Sequence, residues 1–583
     1  MTFSIKTRQE EIERLKNEKL DLLVIGGGIT GAGVALQASA AKMKIGLIDM
    51  QDFGGGTSSR STRLVHGGIR YLKTFDVQVV SDTVKERAIV QHIAPHMTRP
   101  DPMILPIYDE PGTTFTMFSV KVAMDLYDHL AGIEGDSPLI KYANYTMDKA
   151  ETLKREPQLN SENLQGAGVY LDYQNNDSRL VVENVKKAHE LGCLAVSRLK
   201  CIAILHNLHN DQKEVNGVRV HDNLTGEEFE IHADVVINTS GPWSDLVRQE
   251  DKAVYKKPRL RPTKGVHLVV DQSRLTVPQP TYFGSGTADG RMIFTIPREG
   301  KTYFGTTDTD FTGDYAHPTV EKSDVDYLLN IINKKYPSAH LTINDIEASW
   351  AGVRPLIEVE VEGNEAADAA TGASVSDSTS APSAVSRGSS LTEAEDGLIT
   401  LAGGKLTDYR IMANGAMKKI QQKLHDKFSK NFTLQDSAEI KVAGGDFDSD
   451  HAEEELARIA KDGVAAGITA DDAKEIANLF GSQAEQIYDY AKTIKPAAGL
   501  SLGETAALDY SLAEEMTLTP VDYLLRRTYH ILFKSDTLSQ VREGVVNHMS
   551  DYYGWDKEQK TQYEHELDQE IAQSRLDKLK SEK

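Results

Sequence analysis

The chain has 583 residues, of which 87 are acidic and 65 basic, and the resulting net charge of −22 disfavours nucleic acid, which requires a dominant basic face. Its two cysteines, Cys193 and Cys201, are too few for a disulfide framework or for a zinc site built on cysteine. Length, charge and cysteine usage together predict a soluble cytoplasmic enzyme of more than one domain, without a metal.

The first long apolar stretch, residues 22–41, carries no charge and is long enough to cross a membrane. However, it holds five glycines, and its first four residues favour a strand, whereas the rest favours a helix of small residues. A spanning helix would hardly begin with three consecutive glycines. We therefore expect no integral membrane span.

The same stretch contains a nucleotide-binding fingerprint. A short apolar strand at residues 21–25 is followed by glycines in a Gly-x-Gly-x-x-Gly pattern, namely Gly26, Gly28 and Gly31. In this pattern the first glycine makes a tight turn, the second admits a pyrophosphate and the third lets the helix pack on the strand. A second strand ends at Asp49, where a carboxylate is expected to accept hydrogen bonds from ribose hydroxyls and disfavours a 2′-phosphorylated nucleotide.

Three later segments favour FAD over NAD. A hydroxyl-rich loop at residues 53–62 is suited to a second phosphate and a ribityl chain. Apolar strands at residues 234–238 and 398–402 each run into a turn of small residues. Turns of small residues let a ligand come close to the backbone, and turns spread this widely along the chain suit a long ligand. The predicted cofactor contacts in these segments are Thr57, Ser58, Ser59, Ser240, Gly241, Gly404, Leu406 and Thr407.

These motifs carry a family resemblance. In this order, GGGITGAG, GTSSRSTRLVHGGIRYL, NTSGPWSD, AGVRPL and GGKLTDYR resemble the FAD-dependent glycerol-3-phosphate dehydrogenase and oxidase family, over residues 20–550. The resemblance implies noncovalent FAD and an α/β fold. That fold has a Rossmann-type FAD-binding domain interleaved with a mixed β-sheet substrate domain, plus a C-terminal α-helical domain. Within the family, the chain looks most like the oxygen-using oxidases of lactic acid bacteria.

The expected domain boundaries combine the fold that the resemblance implies with the composition of the chain. We expect the interleaved FAD-binding and substrate domains over residues 20–360 and 397–427, with an antiparallel hairpin at 291–306, and the helical domain over 428–583. Residues 361–396 consist mostly of Ala, Ser, Thr, Gly, Glu and Asp and contain no aromatic residue. Such a segment buries too little apolar area to offset the cost of ordering, so it is predicted to be a flexible insert. By resemblance, an insert here favours the oxidase branch.

The implied reaction transfers a hydride from C2 of sn-glycerol 3-phosphate to flavin N5, giving dihydroxyacetone phosphate, with O2 reduced to H2O2. His66 is the candidate base, because it directly follows the predicted FAD loop and precedes Gly67 and Gly68, which permit close approach. An ordinary imidazole, with a pKa of about 6.5, suits this work. Two alternatives stay open: His66 packs against the flavin, or it attaches the flavin covalently.

Cations are needed for the substrate phosphate. Arginine offers a planar fork that fits pairs of phosphate oxygens, and lysine adds a point charge. By resemblance, Arg354 and Lys405 are the first candidates, with Arg70 and Tyr71 beside them. Arg387 matches a second phosphate-binding arginine of the family but lies in the predicted insert. For each arginine and lysine, the alternative is a surface salt bridge.

Other functions stay open. They are a quinone-linked glycerol-3-phosphate dehydrogenase at the membrane surface, an FAD-dependent amine or amino-acid oxidase, and a flavin-binding protein without activity. Asp308, within residues 305–309, is assigned to turn structure. The sequence leaves the oligomeric state open, with a homodimer as one expectation.

Overall fold

The computed structural model describes residues 2–69, 77–110, 115–135, 137–209, 212–251, 255, 257–287, 290–358 and 388–582. The strands are β1 (Leu20–Ile25), β2 (Ile45–Ile48), β3 (Leu64–Val65), β4 (Thr98–Tyr108), β5 (Tyr145–Asp148), β6 (Leu164–Asn175), β7 (Leu194–Val196), β8 (Leu199–His209), β9 (Gln212–Asp222), β10 (Glu228–Asn238), β11 (Leu260–Asp271), β12 (Thr281–Gly284), β13 (Met292–Arg298), β14 (Lys301–Gly305), β15 (Thr309–Asp310), β16 (Ile346–Ile357), β17 (Ser389–Glu393) and β18 (Ile399–Gly403).

The α-helices are α1 (Ile5–Asn17), α2 (Ile29–Ala40), α3 (Val77–Ile93), α4 (Met117–Leu130), α5 (Lys149–Arg155), α6 (Asp177–Glu190), α7 (Ser244–Gln249), α8 (Lys322–Lys335), α9 (Tyr409–Phe428), α10 (Ala452–Ala465), α11 (Ala470–Phe480), α12 (Ala484–Ala491), α13 (Leu502–Glu514), α14 (His530–Phe533), α15 (Ser535–Tyr553), α16 (Lys557–Ser574) and α17 (Asp577–Ser581). A π-helical turn, Asp522–Arg527, precedes α14. No helix of the described residues is both long and apolar enough to cross a membrane.

The first sheet contains the nucleotide fingerprint. Its strand order is β17-β18-β10-β1-β2-β7, and the strands from β18 to β7 are parallel. Leu22 and Val24 of β1 face a core shared with α2, α6 and α9, whereas Leu23 and Ile25 face a core that includes α1. Burial on both faces explains why these strands read as unbroken apolar runs. The predicted Rossmann-type domain is confirmed.

The second sheet is mixed, as predicted. Its order is β15-β11-β14-β13-β12-β4-β6-β3, with β16 added to β11 and β5 to β6. Most neighbours are antiparallel, but β12 pairs with β4 in parallel. The predicted hairpin is β13 and β14, which pair antiparallel. In the antiparallel ladder of β11 and β16, Gly265 lies opposite Gly352 and Thr263 lies opposite Arg354, which places these positions side by side.

The turn between β1 and α2 depends on two glycines. Gly26 has a φ of +101°, a conformation that side chains with a Cβ rarely adopt. A Cβ on Gly31 would overlap the carbonyl oxygen of Gly26, because the first turn of α2 lies directly on the strand end. The fingerprint therefore has the geometry that its sequence predicts.

The C-terminal helices are joined to the FAD-binding domain by buried ion pairs. Asp52, in the loop after β2, lies 2.6 Å from Nε of Arg526 and 2.8 Å from Nη1 of Arg527, both in the π-helical turn. Arg179 of α6 and Glu515, directly after α13, form a second pair at 2.8 Å, and neither side chain is exposed. Buried charges are tolerated when paired in this way. The helical domain is thus fixed against the loop that follows β2.

The predicted insert needs a correction at its C-terminal end. Residues 361–387 lie outside the described part of the chain, but residues 389–393 form β17, which pairs antiparallel with β18. The three central residues of this strand, Ser390, Leu391 and Thr392, are only partly exposed, and pairing with a neighbouring strand compensates for its polar composition. The predicted boundary at residue 428 coincides with the end of α9.

Replacing Gly31 with alanine tests the packing of α2 on β1. We expect Gly31→Ala to lower the free energy of unfolding by about 1–3 kcal/mol, because the new methyl group displaces α2 from the strand end. Gly415→Ala is the matched control, since its Cβ meets no atom within 4 Å. The control should be neutral or stabilising by up to about 1 kcal/mol. Thermal unfolding and flavin absorbance per chain measure both effects, and equal behaviour of the two variants would contradict the packing argument.

Candidate active site

A cavity of about 670 Å³ is lined by residues of both sheets. Its walls include the turns after β1, β10 and β18 and the loop after β2, because parallel strands end at the same edge of a sheet. The predicted site residues that line it are Gly26, Gly28, Asp49, Thr57, Ser58, His66, Ser240, Gly241, Arg354, Gly404, Lys405, Leu406 and Thr407. Segments far apart in the sequence therefore form one site.

Two predicted contacts lie outside the cavity wall. The hydroxyl of Ser59 donates to the carbonyl of Gly56 at 3.3 Å, because a 3₁₀ turn over residues 57–59 directs it inward. The hydroxyl of Ser59 therefore stabilises the turn, and its contact with the cofactor stays a prediction. Gly31 does not line the cavity either and serves the packing of α2. The remaining predictions, Arg70, Tyr71 and Arg387, lie outside the described residues.

Asp49 is half-buried directly after β2 and anchors the fingerprint turn. Its Oδ2 accepts a hydrogen bond from the amide of Gly27 at 2.7 Å, and its Oδ1 accepts one from the amide of Gln51 at 2.7 Å. Burial raises the pKa of Asp49 to about 6, although both backbone hydrogen bonds act in the opposite direction. Each carboxylate oxygen has two acceptor positions, so the group retains capacity for ribose hydroxyls.

The start of α2 and the loop after β2 form a cradle for phosphate. The hydroxyl of Ser58 accepts a hydrogen bond from the amide of Ile29 at 2.9 Å, which places the loop against the helix N-terminus. Helix N-termini attract anions through their unpaired amides and dipole. The cavity volume lies within the range of about 300–1,000 Å³ that is typical of cofactor sites. Volume, glycines and helix end together fit a dinucleotide such as FAD.

His66 directly follows β3 and lies against the turn after β18. Its amide donates to the hydroxyl of Thr407 at 3.2 Å, and its ring is edge-on to Phe294, with centroids 5.8 Å apart. The amide of the next residue, Gly67, donates to Oδ1 of buried Asp172 at 3.1 Å. The backbone on both sides of the imidazole is therefore held by hydrogen bonds, which fixes where the ring enters the cavity.

The lysines and arginines among the described residues that line the same cavity are Arg60, Lys200, Arg291, Arg354 and Lys405. Arg354 forms an ion pair with Asp308 at 3.1 Å, and Arg291 pairs with the other oxygen of that carboxylate at 2.5 Å. Asp308 is thus the shared counter-ion of two arginines, which corrects its assignment to turn structure.

Lys405 also has an acidic neighbour. Burial raises the pKa of Asp408, and the nearby ammonium of Lys405 opposes that rise.

The sequence reasoning missed Arg291, yet the hairpin contained a signal for it. Phe294 of β13 lies opposite Gly305 of β14 in the antiparallel register. Continuing this register by three residues places Arg291 opposite Asp308. A basic and an acidic residue at paired positions of a predicted hairpin would have indicated the ion pair.

His267 is a second cavity residue that the sequence did not single out. Its ring stacks on Trp350, with centroids 4.7 Å apart, and its Nε2 lies 3.0 Å from the hydroxyl of Thr62. Burial lowers the pKa of His267 well below its ordinary value, with a further contribution from Arg354. The imidazole is therefore neutral at pH 7 and supports the loop without adding charge to the cavity.

Comparisons with known proteins agree with this geometry. Residues 21–381 match the model of the FAD dependent oxidoreductase family, and residues 435–560 match the C-terminal domain of alpha-glycerophosphate oxidase. The alpha-glycerophosphate oxidase of Enterococcus casseliflavus is 55% identical over 622 aligned residues, and that of Lactococcus lactis is 53% identical over 619; both alignments cover all of each chain.

A solved structure shows the same fold. Glycerol-3-phosphate dehydrogenase from Bacillus halodurans, complexed with FAD, superposes with a TM-score of 0.80 at 36% identity, and the match covers 98% of each chain. With the fingerprint, the second sheet and the C-terminal helices all matched, the chain belongs to the FAD-dependent oxidoreductases and, among them, to the alpha-glycerophosphate oxidase family.

Proposed function

We propose that the protein is a flavoprotein oxidase that converts sn-glycerol 3-phosphate and O2 to dihydroxyacetone phosphate and H2O2. One observation carries the proposal: the imidazole of His66 and the cations Arg354 and Lys405 line the same cavity as the nucleotide fingerprint. A phosphorylated alcohol needs a proton acceptor at its hydroxyl and cations at its phosphate. The relatives' name, alpha-glycerophosphate oxidase, supports both the substrate and the acceptor.

The cofactor would be held without a covalent bond by the residues that form the cradle. Bound FAD supplies the two-electron acceptor, flavin N5, for the hydrogen at C2 of the substrate. Asp49 would hold the ribose, the start of α2 and Ser58 the pyrophosphate, and the turns after β10 and β18 the rest of the ligand. The residues in those two turns are Ser240, Gly241, Gly404, Leu406 and Thr407.

The chain's own side chains would bind the substrate and move its proton. His66 would take the proton of the C2 hydroxyl on an imidazole nitrogen, since hydrogen bonds to Thr407 and Asp172 fix the backbone that carries it. Arg354 would bind phosphate oxygens in pairs, and Lys405 would add a charge near the phosphate or the reacting hydroxyl. Arg70, Tyr71 and Arg387 remain predicted contributors to the same subsite.

A quinone-linked dehydrogenase is the second candidate. It is favoured by the likeness to a glycerol-3-phosphate dehydrogenase at 36% identity over 98% of both chains. The two candidates share the substrate and differ only in what reoxidises the flavin. A cytoplasmic location and a homodimer, both expected from the sequence, belong to the proposal as well.

An aerobic assay separates the two candidates. We expect purified holoenzyme with glycerol 3-phosphate to consume O2 and release one H2O2 per dihydroxyacetone phosphate, because a reduced flavin that reacts with O2 returns both electrons to it. Peroxide and product are measured in the same sample. Product formation that requires a quinone or a dye, with no peroxide in air, would support the dehydrogenase instead.

The pKa of Asp49 predicts how FAD affinity depends on pH. Ribose hydroxyls need acceptor oxygens, so FAD binding favours the ionised carboxylate, and protonation below a pKa of about 6 opposes binding. The dissociation constant of FAD for the apoprotein should be constant above neutral pH and rise below pH 6, by up to about tenfold per pH unit. Titration calorimetry across this range measures it. Asp49→Asn should bind FAD more weakly without this pH dependence, whereas an unchanging affinity of the parent would disprove the assignment.

Replacing His66 tests the proton acceptor. We expect His66→Asn to slow anaerobic flavin reduction by glycerol 3-phosphate by a factor on the order of 10²–10⁴, because the hydroxyl proton loses its acceptor. Reoxidation by O2 and flavin content should stay near the parent values. Stopped-flow absorbance follows both half-reactions. His129→Asn, at an exposed histidine paired with Glu134, is the control. Reduction of the His66 variant at the parent rate would exclude His66 as the base.

A further inference from the structure

Asp308 joins two cavity arginines through one buried carboxylate. Its side chain has no exposed area, whereas that of Arg354 is 22% exposed and that of Arg291 is 10% exposed. Both guanidinium groups line the cavity, but Asp308 does not. The carboxylate therefore lies behind the two cations, on the side away from the cavity.

Arg354 is also constrained by its neighbours in the sheet. Its guanidinium group lies against the backbone of β11, where any side chain in place of Gly265 would overlap it. Nη2 donates to the hydroxyl of Thr306 at 3.0 Å, and Nη1 donates to the carbonyl of Thr307 at 3.3 Å as well as to Asp308. A long, flexible side chain is thus held in one orientation before an anion arrives, which removes part of the entropic cost of binding.

The charges favour an anion at this place. Two guanidinium groups next to each other repel, and a carboxylate between them allows both to line one cavity. Because one carboxylate is shared by two arginines, these three groups keep a net positive charge, which a separate carboxylate for each arginine would cancel. Charge-assisted, paired hydrogen bonds to a phosphate are strong only when the arginine is both charged and oriented.

We propose that Asp308 is the positioning residue of the anion site: held between Arg291 and Arg354, it fixes Arg354 for the substrate phosphate and so selects a phosphorylated alcohol over a neutral one. This inference rests on the proposed function, because it assumes that Arg354 meets the phosphate. The competing explanation is that Asp308 only stabilises the chain after β14. The two differ in whether the effect of Asp308 passes through Arg354.

The first test is Asp308→Asn in the FAD-loaded enzyme, which keeps the shape and removes the charge. We expect the KM for glycerol 3-phosphate to rise about tenfold to a hundredfold, because an oriented, charged contact is weakened. kcat should stay within about threefold, since the reacting hydroxyl is not touched. The inhibition constant of inorganic phosphate should rise in parallel with KM. Asp310→Asn is the control, because Asp310 pairs with Arg261 on the exposed edge of the same segment.

A double-mutant cycle then decides between the two explanations. If Asp308 acts through Arg354, Asp308→Asn should change KM less than about twofold in an Arg354→Ala background. An undiminished effect in that background, or a KM equal to that of the Asp310→Asn control, would overturn the proposal.

Should Asp308→Asn fail to retain FAD, Thr306→Val serves instead, since it removes only the hydroxyl that accepts a hydrogen bond from Arg354. Its KM should rise about twofold to fivefold, and an unchanged KM would overturn the proposal.

Calorimetry with inorganic phosphate tests the positioning role of Asp308 independently of whether the protein oxidises glycerol 3-phosphate. Parent holoenzyme should bind phosphate, and Asp308→Asn should bind it at least tenfold more weakly, whether or not the parent turns over glycerol 3-phosphate. Absence of turnover with intact, Asp308-dependent phosphate binding would refute the proposed reaction alone. Absence of phosphate binding by the parent, or equal binding by both proteins, would refute the positioning role.

Discussion

The buried carboxylate of Asp52 and the two arginines that enclose it hold the cavity together. Arg526 and Arg527 come from the C-terminal helices, and Asp52 begins the loop that forms the cofactor wall. Removing one member of such a cluster leaves an unpaired buried charge, which costs about 3–5 kcal/mol. The far end of the loop is fixed similarly, because Asp177 accepts hydrogen bonds from the amide and the hydroxyl of Ser61. The helices thus shape the site, although no described residue after Thr407 lines it.

Much of the fold could be predicted because its signals are local. The strand, the glycines and the helix of the fingerprint lie within one short stretch of sequence. Two later strands, which end just before Ser240 and Gly404, show the same pattern of apolar residues followed by small ones. What such patterns do not contain is the direction of each side chain. Ser58 and Ser59 carry the same hydroxyl group, but Ser58 lines the cavity and bonds the start of α2, whereas the hydroxyl of Ser59 closes a turn. Only the backbone path through the 3₁₀ turn separates them.

The basic residues of the site could be predicted only in part, because their positions depend on the register in which strands pair. Arg354 and Lys405 belong to motifs that resemble the family, whereas Arg291 and Asp308 meet only when β13 and β14 pair. A pairing of this kind depends on the hairpin register, which hydrophobic pattern and turn geometry set together. The formal charge of −22 likewise gives no indication of the arginines and lysines that line the cavity. Net charge is a sum over the surface, and an enclosed site responds mainly to the few charges in its own walls.

The described residues that flank positions 359–387 lie close to Leu356 and Gly404, which line the cavity. Glu358 donates its amide to the carbonyl of Arg259 at 2.9 Å, and the carbonyl of Gly388 accepts from the amide of Gly404 at 3.0 Å. The described residues on either side of this segment are therefore positioned by β16 and β17. Loop-closure entropy grows only slowly with loop length. The length of chain between these two positions can therefore change at a small cost in free energy, while β16 and β17 keep the neighbouring cavity wall in place.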